Sequence, residues 1–221
     1  MKYTNESIGS KVMETLTSGL YDGNLNCLRE YVQNSIDSKA SNIEIEFENK
    51  TTLIIRDDGS GMNKEDLRNA LKIGVSDKSD DDIGWRGIGI WSGVPACKKI
   101  VILTKKRNDK KYRVEINNDV LNESGMINKP ILDILEEGTG EIDELPLGNE
   151  ESFEKDHFTE IRLVSILPTQ TDIFSEHEIR KYLSANVPAP LDETKIPQAK
   201  EINRWLETHI PQQVGAKSGI F

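Results

Sequence analysis

Three short blocks of residues between positions 30 and 89 have side chains and glycines that suit phosphate chemistry. In the first block, Glu30, Asn34 and Asp37 are spaced i, i+4 and i+7, so a helix presents all three on one face. A carboxylate and an amide that point the same way can serve a magnesium ion and the phosphate that it accompanies. The first block therefore predicts a helix with a polar face directed at phosphate.

The second and third blocks contribute glycine. Residues 57–62 contain Gly59 and Gly61 after two aspartates, and residues 84–89 have the sequence Gly-Trp-Arg-Gly-Ile-Gly. Glycine lets the backbone approach a ligand closely and present its N–H groups to phosphate. Each block alone is weak evidence, but the three blocks in this order predict a nucleotide pocket.

Composition and charge limit the class of protein. With 221 residues, of which 36% are hydrophobic and 30% charged, the chain is long enough for one full core. We predict one domain over residues 1–190 and, over residues 191–221, a helical extension or a linker to a downstream domain. The formal net charge of -10 argues against a general nucleic-acid surface. Residues 133–156 contain ten acidic residues and one lysine, so this acidic insertion carries most of the charge and is predicted to be a solvated loop.

Cysteine usage and hydropathy indicate a cytoplasmic location. Cys27 and Cys97 lie in apolar surroundings without the spacing of metal ligands, so they are predicted to be buried thiols in a reduced compartment. The first residues lack the features of a signal peptide, and no apolar run approaches the ~20 residues that span a bilayer. The three histidines are scattered without metal-ligand spacing.

Hydrophobic periodicity places the first two blocks on secondary structure. Helical spacing over residues 8–21 and 24–38 predicts two amphipathic helices, and the second of these carries the first block. Strict alternation over residues 43–47 and an apolar run over residues 52–56 predict a β-hairpin. The hairpin delivers Asp57 to the end of its second strand.

The rest of the pattern predicts the fold class. Asn63 and Asp66 have the spacing of a capping box, which predicts a short helix to about residue 73. Residues 74–83 are small, polar and charged, so they are predicted to form a mobile lid. The other predicted elements are a helix over 87–96, strands over 100–104, 112–116 and 158–163, and helices over 176–184 and 198–209. Because no βαβ period is present, we predict an α+β fold, a two-layer sandwich of a mixed, mainly antiparallel sheet with helices on one face.

These motifs resemble the GHKL superfamily of ATP-binding domains, whose shared architecture is the Bergerat fold. The superfamily includes gyrase-type topoisomerases, heat-shock chaperones, histidine kinases and MutL-type repair proteins. Residues 13–16 and 28–37 are similar to the first helices of the ninety-kilodalton heat-shock chaperones, and residues 101–106 to the strand after their Gly-x-Gly. Residues 86–90 look more like the B subunit of topoisomerase VI. The resemblance covers about residues 8–185.

The resemblance implies roles for residues at the phosphate end of the pocket. Glu30 would be the general base that activates water for attack on the γ-phosphate, and Asn34 would hold Mg²⁺ through its side-chain oxygen. Lys78 would close over the γ-phosphate as a lid lysine, or it is a solvated loop charge. Backbone N–H groups for the phosphates would come from the third block, at Gly84, Gly87, Ile88 and Gly89.

The adenine end follows from the second block. Asp57 would accept a hydrogen bond from the adenine amino group, while Gly59, Gly61 and Met62 would shape the base pocket. Thr159 would anchor Asp57 and the base, although Phe158 stands where the family usually has glycine.

Two assignments have alternatives at this stage. Asp37 is a nucleotide contact or a structural partner for an arginine. Asp58 would replace Asp57 if the register of the strand shifted by one residue, although Asp57 keeps the Asp-x-Gly-x-Gly spacing.

The implied function is binding of ATP with Mg²⁺ and slow hydrolysis that drives lid closure or dimerisation in a chaperone-like cycle. The implied partners are a transient second copy of the domain and a client or downstream domain of unknown identity, with no membrane and no indication of nucleic acid. One alternative is a histidine or protein kinase domain, in which the same pocket serves phosphoryl transfer. Another is a nucleotide sensor that binds ATP without turnover.

Overall fold

The computed structural model describes residues 25–73, 89–124, 130–146, 156–187, 200–201, 204–205 and 219–220. The α-helices that lie wholly within these ranges are α1 (Asn26–Asp37), α2 (Lys64–Ala70), α3 (Asn118–Ser124), α4 (Ile131–Gly138) and α5 (Glu176–Asn186), and residues 200–201 and 204–205 are also helical. Two short 3₁₀ helices span Gly89–Gly93 and Thr171–Phe174. None of the helices in these described ranges is long and apolar enough to cross a membrane.

Seven strands form one sheet in the described part of the chain. They are β1 (Asn42–Asn49), β2 (Thr52–Asp57), β3 (Cys97–Lys105), β4 (Lys111–Asn117), β5 (Asp143–Leu145), β6 (Phe158–Ile166) and β7 (Gly219–Ile220). Their spatial order is β5-β4-β3-β6-β2-β1-β7, and every pair is antiparallel except the two-residue pairing of β1 with β7. The sheet is therefore mixed and mainly antiparallel, as predicted.

Alternation along the strands divides the sheet into an apolar face and a charged face. Ile43, Leu53, Ile55 and other inward residues join one core cluster with side chains from α1, α2, α3, α4 and α5. On the other face Glu160, which is almost fully buried, accepts hydrogen bonds from Arg56 at 2.7 Å and from Arg162 at 2.5 Å. The described helices thus cover one face, which confirms the predicted α+β two-layer class.

Local sequence rules explain the elements that carry the first two blocks. On α1, Leu28, Val32 and Ile36 are buried against the sheet, as the helical spacing predicts. At the start of α2, the Asn63 side chain accepts from the Asp66 N–H at 2.8 Å and the Asn63 N–H donates to the Asp66 carboxylate at 3.2 Å. The predicted capping box is therefore present, with aspartate in place of glutamate.

The predicted helix over residues 87–96 is corrected by the structure. The described part, Gly89–Gly93, is a single 3₁₀ turn, and residues 94–96 form a turn before β3. The Tyr31 hydroxyl donates to the Ile90 carbonyl at 3.0 Å, and the Val94 N–H bonds to the Trp91 carbonyl at 3.0 Å, the tighter i, i+3 spacing. A tertiary contact from α1 thus meets the 3₁₀ turn at the Ile90 carbonyl.

The described part of the acidic insertion is also not a solvated loop. Residues 131–138 form α4, with Ile131 and Ile134 buried, and residues 143–145 pair with β4 as β5. The apolar residues follow helical spacing while the acidic residues remain largely exposed. The prediction of a loop was wrong because it was based on the charge of the segment and not on this short apolar period.

Most basic residues of the β3–β4 hairpin are held in ion pairs. Lys99 contacts Glu115 at 2.9 Å, Lys106 contacts Asp66 at 2.8 Å, Arg107 contacts Asp156 at 2.9 Å and Lys110 contacts Glu144 at 2.7 Å. These acids offset much of the positive charge that the hairpin sequence shows by itself.

The two cysteines are buried free thiols, as predicted, and burial raises the pKa of Cys27 to about 12.

Candidate nucleotide site

The first block and the end of the third block meet in the structure. Glu30 and Asn34 lie one turn apart on α1, and the Glu30 side chain is only 12% exposed. A Cβ built on Gly89 would lie 2.9 Å from Asn34 Nδ2 and 3.5 Å from Glu30 Oε2. The Gly89 backbone therefore sits directly against the carboxylate and the amide of α1.

Contacts from α1 and from the 3₁₀ turn fix this arrangement. Tyr31, the neighbour of Glu30, donates its buried hydroxyl to the Ile90 carbonyl, and the Ser92 hydroxyl donates to the Gly89 carbonyl at 2.6 Å. The Arg29 guanidinium donates to Glu30 Oε1 at 3.0 Å. These bonds hold the glycine turn and the Glu30 carboxylate in one geometry.

The residues near Gly89 suit a magnesium ion. Asn34 provides an amide oxygen, a hard donor of the kind that Mg²⁺ takes together with phosphate oxygens and water, and Glu30 places a carboxylate beside it. The donor set therefore fits the metal that the sequence implies, with Asn34 as the residue that would hold it.

Asp57 forms a second polar centre at the end of β2. Its carboxylate accepts from the Ser35 hydroxyl at 2.8 Å and from the Gly59 N–H at 2.9 Å. Burial raises the pKa of Asp57 to about 6, although the bonds from Gly59 and Ser35 act in the opposite direction. Ser35 lies between Tyr31 and Ile36 on the buried face of α1, and a polar residue at that position was a signal that the sequence analysis missed.

Asp58 has a different, structural role. Its side chain accepts from the backbone N–H groups of Ser41 at 2.6 Å and Asn42 at 2.8 Å. Burial raises its pKa, but the bonds from Asn42 and Ser41 outweigh that effect and the net shift is downward. Asp58 therefore ties the β2 end to β1, and Asp57 is the aspartate that faces α1.

Two threonines continue the row that Asp57 begins. The sheet register places Thr159 of β6 beside Asp57 of β2 and beside Thr104 of β3. The Thr104 hydroxyl lies 3.2 Å from the Thr159 hydroxyl, accepts from the Met62 N–H at 2.9 Å and lies 3.0 Å from the Phe158 carbonyl. Thr104 was not predicted as a site residue, and it is fully buried. It continues the inward register of Ile100 and Ile102, and a polar residue at an inward position of an apolar strand is a signal that the sequence contains.

The other predicted site residues are accounted for as follows. Asp37 lies at the end of α1 and is partly buried, and its contact with nucleotide stays a prediction. Lys78, Gly84, Gly87 and Ile88, together with the predicted lid over residues 74–83, lie outside the described residues.

Gly61 gives a prediction about stability. Its φ is +62°, and a Cβ at this position would lie 1.8 Å from the Lys105 carbonyl oxygen. Gly61→Ala is therefore expected to lower the free energy of unfolding by more than about 2 kcal/mol, from left-handed strain and a backbone clash. Urea denaturation measures the loss. The matched control is Gly140→Ala, whose Cβ would meet its nearest atom at 3.4 Å, and an equal effect of the two substitutions would contradict this reason.

A mainly antiparallel sheet with helices on one face, and an acidic residue of α1, Glu30, that faces a glycine turn, are features of the class of ATP-binding α+β domains. Residues 25–145, more than half of the chain, match the family model described as histidine kinase-, DNA gyrase B- and HSP90-like ATPase. The chain belongs to this family, the GHKL ATPases.

Individual relatives come from several branches of the family. The chain is 31% identical over 120 residues to the DNA mismatch repair protein MutL of Borreliella afzelii, covering 48% of this chain and 20% of that protein. It is 30% identical over 139 residues to the ATPase morc-1 of Caenorhabditis elegans, covering 62% and 16%. It is 28% identical over 166 residues to the chaperone protein HtpG of Helicobacter pylori, covering 56% and 27%. The matched regions thus span less than a third of each of these relatives.

Proposed function

We propose that this chain binds Mg-ATP and hydrolyses it in the space between α1, the Gly89 turn and the loop after Asp57. The observation that carries the proposal is the close approach of the Gly89 backbone to Glu30 and Asn34. A glycine N–H can bind a phosphate oxygen, an amide can hold a metal ion and a carboxylate can accept a proton from water, and here the three groups lie side by side.

The chemistry assigned to Glu30 is general base catalysis. A water oxygen attacks the γ-phosphorus while a Glu30 carboxylate oxygen accepts the water proton, and the bond to the bridging oxygen breaks so that ADP leaves with that electron pair. The Arg29 contact orients the carboxylate for this step. Mg²⁺, when bound, supplies positive charge to the phosphates, and Asn34 is the residue assigned to hold it.

Recognition of the base is assigned to Asp57. An ionised carboxylate only accepts hydrogen bonds, so it pairs with the adenine amino group and not with the guanine carbonyl at the same ring position. Ser35 and Gly59 use part of its acceptor capacity and fix its orientation. Thr159, Gly61 and Met62 are assigned to the walls of the base pocket.

The finer proposal is a conformational cycle. ATP bound at this site would order residues 74–83 through contact of Lys78 with the γ-phosphate and would favour a transient dimer. This is the chaperone-like cycle that the resemblance implies. The relatives named as a mismatch repair protein, an ATPase and a chaperone support the shared ATP-dependent part of this proposal equally. The client or downstream partner would then determine the biological role.

A single-turnover reaction with γ-labelled ATP tests hydrolysis against the two alternatives. We expect the label to appear as inorganic phosphate with no labelled protein, because the site has a base on α1. Label that stays covalently on the chain would favour the kinase alternative, and bound ATP that remains intact would favour the sensor. Absence of ATP binding by calorimetry would overturn the proposal as a whole.

A further inference from the structure

The carbonyl of Gly59 is held by a histidine from another strand. His157, which immediately precedes β6, places Nδ1 2.5 Å from the Gly59 carbonyl oxygen. A carbonyl oxygen only accepts, so Nδ1 carries the proton and donates it to this bond. Arg107 Nη2 lies 2.8 Å from His157 Nε2, and since a guanidinium only donates, Nε2 provides the lone pair. Both contacts are satisfied when the ring proton is on Nδ1 and the lone pair is on Nε2, and Asp156 Oδ2 lies further away, 3.9 Å from Nε2.

This contact completes a clamp on one peptide group. On the other side of the same peptide, the Ser60 N–H donates to the Ser38 carbonyl at 2.9 Å. The peptide between Gly59 and Ser60 is thus fixed between the end of α1 and the start of β6. Rotation of this group would break both bonds.

The backbone of Gly59 depends on hydrogen bonds to fix its conformation, because this position has no room for a side chain. A Cβ on Gly59 would lie 1.9 Å from Ser38 Oγ and 2.8 Å from Asp57 Oδ1, so a side chain does not fit. Glycine is the residue with the most backbone freedom, and here its N–H donates to Asp57 Oδ1. A shift of the Gly59 backbone would therefore withdraw a hydrogen bond from the Asp57 carboxylate.

We propose that His157 is a positioning residue for Asp57, because it fixes the Gly59 backbone that orients this carboxylate for adenine. This inference rests on the proposed function, since it assigns a role within the same nucleotide site. Arg107 supports the ring from the β3–β4 turn and also contacts Asp156 at 2.9 Å. His157 thereby links the hairpin turn to the base pocket without being a nucleotide contact itself.

Three substitutions separate the hydrogen bond from the bulk of the side chain. His157→Asn can keep an N–H donor near the position of Nδ1, His157→Leu removes the donor at similar volume, and His157→Asp replaces the donor with an acceptor. With ADP and ATP titrated by calorimetry, we expect the leucine variant to lose about 2- to 13-fold in affinity for both nucleotides, the contribution of one neutral hydrogen bond. The aspartate variant should lose at least as much, and the asparagine variant should stay within about 2-fold of the wild type.

The split between binding and turnover identifies a positioning role at the base. We expect kcat at saturating ATP to be unchanged in the leucine variant, while its preference for ATP over GTP falls. Equal affinity and equal base preference in the wild-type, asparagine and leucine proteins would overturn the inference. If wild-type protein binds neither ADP nor ATP, the proposed function fails instead.

A measurement on the wild-type chain is independent of how the variants fold. Two-bond ¹H–¹⁵N correlations of the His157 ring at pH 8 should show the Nδ1–H tautomer, which is the minor form of free imidazole side chains. An Nε2–H tautomer would contradict the contact with the Gly59 carbonyl and overturn the inference.

Discussion

Replacement of Glu30 by glutamine is expected to reduce the rate of ATP hydrolysis by ~10²- to 10⁴-fold, the usual contribution of a general base. ATP affinity should remain close to that of the wild type, because the base acts on water in the transition state and contributes little to the ground state. Glutamine preserves the shape of the side chain and its reach toward Gly89. Single-turnover hydrolysis and calorimetry on the same preparation measure the two quantities.

The control for this substitution is Glu65→Gln, which removes an exposed carboxylate on α2 whose side chain is 67% exposed. That variant should hydrolyse ATP at the wild-type rate. Because Glu30 is mostly buried beside Arg29, urea denaturation of Glu30→Gln against the wild type separates a loss of folding from a loss of catalysis. Equal losses of affinity and rate in Glu30→Gln would show that Glu30 is a binding or structural residue.

Replacement of Asp57 by asparagine should weaken binding of ATP and ADP by about 1 to 3 kcal/mol, because a charge-assisted bond in a buried pocket is lost. The asparagine amide keeps one acceptor oxygen and replaces the other with a donor, so it cannot satisfy Ser35, Gly59 and the adenine amino group as the carboxylate does. Calorimetry with both nucleotides measures the effect, which should be the same for each because the contact is with the base. Unchanged affinity would rule out the assignment of Asp57 to adenine.

The same substitution should have the opposite effect on stability. In the folded chain the pKa of Asp57 is about 6, above its ordinary value of 3.8, so the fold disfavours the ionised carboxylate. The folded state holds its proton to higher pH than the unfolded state, and the free energy of unfolding therefore decreases as pH rises from about 4 to about 6. Above that window the penalty is fully present, so Asp57→Asn is expected to stabilise the nucleotide-free fold by up to about 3 kcal/mol at pH 8.

Asp58→Asn provides a control of opposite sign. The pKa of Asp58 is lowered in the fold, so its ionised form contributes stability that is present at neutral pH and is lost on acidification. We expect Asp58→Asn to be less stable than the wild type at pH 8 in urea denaturation. Its nucleotide affinity should fall less than that of Asp57→Asn, because Asp58 bonds to Ser41 and Asn42 and acts on the site only through the position of the β2 end. A loss of stability in both variants at pH 8 would contradict the burial penalty assigned to Asp57.

The local elements of the site could be predicted from the sequence because their causes are local. The helical period that buries Leu28 and Val32 also places Glu30 and Asn34 together, and the apolar run of β2 carries Asp57 to the end of its hairpin. Both patterns depend on residues close in the chain. A shift of the strand register by one residue would move the apolar side chains out of the core, so the pattern specifies the register.

The predictions that failed are those in which a local pattern competes with distant contacts. The segment after Gly89 is a 3₁₀ turn, and Tyr31, far away in sequence, donates to the Ile90 carbonyl there. In the acidic insertion, burial of Ile131 and Ile134 against the rest of the fold outweighed a charge pattern typical of loops.

Only the tertiary structure decided how the parts of the site meet. The approach of Gly89 to Glu30 and Asn34 joins segments more than fifty residues apart, and the contact of His157 with Gly59 joins segments ninety-eight residues apart. Such contacts follow from strand order, register and packing of the whole sheet, which no local period specifies. The sequence by itself therefore determined which residue types are available for phosphate and adenine, whereas packing determined which of their atoms lie within bonding distance.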